Sequence, residues 1–82
     1  MKPSQEVMAY LRGRNGTGPF WNADWDVRIK VLQDLDVLSR ESPRERIFSN
    51  AYSELLKELR ATAKAAGTMR SLGEEARKLL AE

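Results

Sequence analysis

The sequence predicts an all-α fold, a small bundle of about four helices with one long central helix. Three observations lead there. Apolar residues recur at three- and four-residue spacing from Ile47 to Ala63, the period of one face of a helix. Helix start signals precede the apolar stretches, and glycines or a proline separate them. The 82 residues are 41% hydrophobic and 32% charged, a balance suited to one globular domain with a single core. Residues 1–82 are therefore expected to form one helical domain, interrupted by a Gly-rich connector at 13–22.

Ser4 stands as N-cap of a first helix over Gln5 to Arg12, with Val7, Met8 and Leu11 as its apolar stripe and Gly13 as its end. The connector follows, with three of the five glycines (Gly13, Gly16, Gly18) and Pro19. Phe20, Trp21 and Trp25 come next, half of the six aromatic residues. Ala23 to Arg40 is expected as a helix capped by Asn22, with Asp24 and Asp26 at the positive end of its dipole. Its alternative is a short strand, because Trp25-Asp26-Val27-Arg28-Ile29-Lys30-Val31 alternates and is rich in β-branched residues. Leu32 and Leu35 restore the helical period and favour the helix.

Ser42-Pro43-Arg44-Glu45 reads as a capping box with proline at the first helical position. It would open a third helix of about 24 residues, closed by Gly67. Ser71-Leu72-Gly73-Glu74 reads as a second box, opening a last helix to about Ala81. Met69, Leu72, Ala76, Leu79 and Leu80 would form its buried side, and Glu74–Lys78 its surface pair.

Composition narrows the chemistry. The 82 residues include no Cys and no His, which excludes disulfides, Cys/His zinc sites, thiol nucleophiles and His-based triads among them. No metal and no cofactor is expected. Fourteen basic against twelve acidic residues leave a charge of +2, too slight to name nucleic acid as the partner. The opening Met1–Glu6 has no apolar run of a signal peptide, and no stretch approaches the roughly 18 apolar residues of a membrane span. The expectation is a cytoplasmic protein with no membrane association.

Motifs that resemble ligand sites fail on chemistry. Gly13 and Gly18 have the outer spacing of a P-loop, but Pro19 and Phe20 stand where Lys and Ser/Thr are needed. Asn22-Ala23-Asp24-Trp25-Asp26 imitates the start of an EF-hand loop, yet Val27 replaces the glycine of the sharp turn and Gln33 the bidentate glutamate. Asn15-Gly16-Thr17 is formally a sequon. No catalytic arrangement of acid, base and nucleophile is recognisable, so the chain is expected not to be an enzyme.

Binding surfaces are the alternative to catalysis. Arg46, Asn50, Ser53, Lys57, Arg60 and Lys64 recur at four and three residues, on the face of the third helix opposite its apolar stripe. From Leu59 to Gly73 there are three basic residues and no acid. Phe20, Trp21 and Trp25 are of the types that anchor interfaces, and equally of the types that plug a bundle end. A third helix of about 36 Å would outreach a body of about 30 Å, which suggests a homodimer in which a second copy covers the overhang.

The run Val27-Arg28-Ile29-Lys30-Val31, a following helix, a break at Ser42-Pro43 and the pattern Ile47-Phe48-x-x-Ala51-Tyr52-x-x-Leu55-Leu56 together resemble a ribbon-helix-helix repressor. The resemblance covers roughly thirty residues. It implies a dimer whose paired strands enter the DNA major groove, with Arg28 and Lys30 as the DNA-binding residues. Asp26 beside them and Pro43 in the turn depart from that pattern. Ala63 to Leu80 resembles a helix-turn-helix, with Gly73 where a branched apolar residue normally packs.

The expected function is a small non-enzymatic regulatory or adaptor protein that binds a macromolecule, foremost a protein, and modulates it by occupancy. Phe20, Trp21, Trp25, Arg46, Lys57, Arg60 and Lys64 are its candidate partner-binding residues. The alternatives are a dimeric DNA-binding regulator and a structural assembly subunit.

Overall fold

The structure is a computed structural model that describes residues 2–13 and 19–81, without the side chains of Pro19 and Met69. Among these residues it holds four α-helices and no strand. They are α1 (Gln5–Arg12), α2 (Trp25–Glu41), α3 (Arg46–Ala66) and α4 (Glu74–Ala81), with 3-10 turns at Pro19–Asn22 and Thr68–Arg70. No helix among them is long and apolar enough to cross a membrane. The middle of the expected Gly-rich connector, with its sequon, lies outside the described residues.

α1 begins where local chemistry dictates. The Ser4 hydroxyl accepts the Val7 N–H at 3.2 Å, satisfying one of the otherwise orphaned donors of the first turn. Its buried positions are Val7 and Tyr10, whereas Met8 is exposed. Of the expected Val7-Met8-Leu11 stripe, Val7 is buried and Leu11 packs against the core, while Tyr10 takes the core position in place of Met8.

Residues 25–31 are helical, which removes the short strand and with it the ribbon-helix-helix reading. Ile29, Val31, Leu32, Leu35 and Leu38 are buried along α2. That pattern serves a helix packed on two neighbours, and no period-2 strand buries both Val31 and Leu32. Asp24, in extended conformation, is the N-cap, with its carbonyl taking the Val27 and Arg28 N–H groups. Asn22 instead closes the preceding 3-10 turn.

The two expected capping boxes are turns. Glu45 donates its N–H to the Ser42 carbonyl at 2.9 Å, so Ser42-Pro43-Arg44-Glu45 reverses the chain between α2 and α3, with proline at the turn position its fixed φ suits. α3 then starts at Arg46, after Glu45. Ser71 likewise spends its hydroxyl on the Thr68 carbonyl at 2.8 Å, and α4 starts at Glu74. The far end of α3 matches expectation: Gly67 sits at φ 67°, ψ 18° and donates to the Ala63 and Lys64 carbonyls.

α2 and α3 share the most extensive interface among these elements. Ala51, Leu55, Leu59 and Ala63 line the α3 side of the core, fully buried. α1 and α4 cover the ends of this pair, contributing Val7, Tyr10 and Leu80. Exposed ion pairs brace the helix surfaces at Asp36–Arg40 (3.2 Å) and Glu74–Lys78 (3.6 Å), the latter as expected.

With 21 residues α3 is about 32 Å long. The molecule measures 35 × 26 × 17 Å with a radius of gyration of 12.1 Å. The spine therefore does not outreach its body; Ala51, Leu55, Leu59 and Ala63 are covered by the chain itself, while Ile47 near its start is exposed. The overhang that suggested a homodimer is absent from this geometry.

Two substitutions separate packing from backbone conformation. Leu55→Ala opens a void in a core with no exposed edge at that position and should cost about 2–5 kcal/mol in denaturant unfolding. Gly67→Ala meets no atom within 4 Å of the new Cβ, so its cost comes from the left-handed φ alone, about 1 kcal/mol.

Candidate functional site

The expected partner-binding residues fall into separate places. Phe20 is buried, its ring 4.9 Å from Tyr10 and 5.1 Å from Trp21, both edge-to-face. Trp21 is half-buried and donates its indole N–H to the Gly13 carbonyl at 2.7 Å. These rings seal the corner between α1 and α2, and Phe20 has almost no surface to offer a partner. For Phe20 the geometry gives the plug, whereas Trp21 and Trp25 keep part of their surface in solvent.

Arg28 completes that corner. Its Nη2 donates to the Trp21 carbonyl at 2.8 Å, and its guanidinium lies 5.1 Å from the centre of the Trp25 ring, a cation–π contact. Its Nε is out of solvent with no hydrogen-bond partner. A guanidinium committed to the fold in this way is poorly placed to read a DNA base. Lys30 is exposed beside Trp25 in a shallow groove between α2 and α4, where Asp26 and Glu75 offset its charge.

The basic stripe of α3 divides in two. Arg46 is exposed in the first turn of the helix, away from the other three basic residues. Lys57, Arg60 and Lys64, spaced at i, i+3 and i+7, do converge. They line one open groove of about 460 Å³ whose remaining walls are Ala61 and Leu80. Among the described residues its three charges are positive, and the rest of its lining is apolar.

How the chain folds back creates this groove. Gly67 ends α3 with a left-handed residue, the 3-10 turn at Thr68–Arg70 reverses direction, and α4 returns beside α3. Leu80 enters the core with 2% of its surface exposed. The Nε of Arg60 donates to the Leu80 carbonyl, one of the unsatisfied acceptors in the last turn of α4. A cation at a helix C-terminus also meets the favourable end of the dipole. Arg60 therefore fixes the groove wall, while Lys57 and Lys64 present exposed ammonium groups on either side.

The spacing in the sequence identifies Lys57, Arg60 and Lys64 as one face. It does not identify Leu80 as their neighbour, twenty residues on from Arg60, nor the role of Arg60 as a cap for α4. Tyr10, the centre of the aromatic corner, also escapes sequence reading. A tyrosine at i+3 from Val7 was its one available signal.

Among the described residues no three His, Cys, Asp or Glu side chains group as metal ligands. Comparison with protein-family models, curated proteins and solved structures finds no match to the chain.

Arg60→Met keeps the aliphatic stem but removes the donor to Leu80. The variant should lose about 1–2 kcal/mol, and hydrogen exchange should quicken in α4 while α1 amides keep their protection.

Proposed function

We propose that this chain is a small non-enzymatic binding module, a regulator or adaptor that modulates a partner protein by occupying it. The observation that carries the reading is the convergence of Lys57, Arg60 and Lys64 on a groove walled by Ala61 and Leu80. Like charges held on one helix face repel, and among the described residues no acid lines the groove to relieve them. An anionic partner supplies that relief, and the apolar walls add burial that no simple counter-ion provides.

The division of labour follows from exposure. Lys57 and Lys64, free to reorient, steer encounter and set its salt dependence. Contact with Ala61 and the hydrocarbon stems of the basic side chains excludes water and slows dissociation. The aromatic corner contributes indirectly, holding α1 and α2 together so that the α2–α3 pair is rigid under the groove.

Affinity capture from the source cells tests this with two baits, the native chain and Lys57→Glu/Lys64→Glu. The native chain should retain at least one protein that the variant retains about tenfold less. Equal retention of every captured protein by both baits would contradict the reading.

A further inference from the structure

We infer that the occupant of the α3–α4 groove is the acidic side of an amphipathic helix from the partner protein. The inference rests on the binding-module reading above and names the chemistry of its partner. It needs one apolar side chain seated against Ala61 and the hydrocarbon stems of the basic residues, with carboxylates meeting Lys57 and Lys64.

Three features of the groove select this occupant. Among the described residues its charge is of one sign, which an acidic partner complements. Its walls between the lysines are hydrocarbon, which a phosphate backbone cannot use and an amphipathic helix can. Lys57 and Lys64 are two helical turns apart, about 10.5 Å along α3. Carboxylates at i and i+7 of a second helix have the same separation, and the residue at i+4 between them lies on the same face. A helix laid alongside α3 thus brings both charges and one apolar side chain into register together.

Arg60 shapes the site without serving as its main contact. Its Nε is held by the Leu80 carbonyl, and its Nη2 is out of solvent with no hydrogen-bond partner. The lysines carry the recognition, and Arg60 keeps Leu80 in position beneath the incoming side chain.

The probe is a short fluorescein-labelled helical peptide in an Ala/Gln background, with Glu at i and i+7 and Leu at i+4. Fluorescence anisotropy follows its binding to the full chain at low and high salt, and a mixed-sequence DNA duplex serves as the second probe. The peptide should bind saturably, about tenfold more weakly at high salt and about tenfold more weakly to Lys57→Glu/Lys64→Glu. A peptide with Lys in place of both Glu residues should recover binding to that variant. Circular dichroism checks that the variant is folded, and Lys57→Ala/Lys64→Ala replaces it if it is not.

Failure of the acidic peptide to bind, or equal binding to native and variant chains, overturns the inference. So does tighter binding of the duplex through the same two lysines, which keeps the groove as a binding surface but gives it to nucleic acid. Sedimentation in which the native chain self-associates and the variant does not assigns the groove to a second copy and overturns it as well. The capture experiment above is read independently. Groove-dependent retention of a protein without an acidic helix sinks this inference alone, whereas no groove-dependent retention sinks both.

Discussion

Burial along the seam between α2 and α3 is the constraint from which the rest of the structure follows. Leu32, Leu35 and Leu38 from one helix, with Ala51, Leu55, Leu59 and Ala63 from the other, supply seven of the thirteen buried apolar residues among those described. A chain of this size removes a smaller share of its surface from water than a large domain does, so it has little apolar area to spare. Two adjacent helices joined by the tight turn at Ser42–Glu45 gain that burial with little loop-closure entropy. The short helices then have a formed surface on which to dock, which neither could supply alone.

Each short helix docks with its own polar fastening. α1 is held by Tyr10, whose hydroxyl reaches the Ala51 carbonyl at 3.5 Å, and by the Tyr10–Phe20–Trp21 ring cluster. Arg28 ties that cluster back to α2. At the other end Leu80 supplies the burial for α4 and Arg60 the hydrogen bond. The groove lies beside Arg60 and Leu80, so the geometry of the proposed binding face depends on the packing that pins Leu80.

The parts legible in the sequence are those fixed by nearest neighbours or by a sustained period. Ser4 before α1 and Gly67 after α3 have their roles because hydroxyl capping and left-handed φ are local requirements. Ser42 and Ser71 carry the same local signal, but their backbones are taken up by turns, since serine satisfies either geometry equally well. The strand-like alternation at residues 25–31 gave way because Leu32, Leu35 and Leu38 continue with helical spacing onto α3. The misplaced start of α3 also lengthened it on paper, and the inferred overhang came from those extra residues. Half of the candidate site was legible, as Lys57, Arg60 and Lys64 share a face by arithmetic. Leu80 and Tyr10 join their clusters through the tertiary fold, which periodicity within one helix does not encode.

Native-state hydrogen exchange by NMR, at two protein concentrations about tenfold apart, tests most directly whether the α2–α3 seam organises the molecule within a single chain. The slowest amides are expected along Val31–Leu38 and Ala51–Ala63, with rates that do not change with concentration. Slowest exchange in α1 or α4, or protection of the seam that rises with concentration, would contradict it.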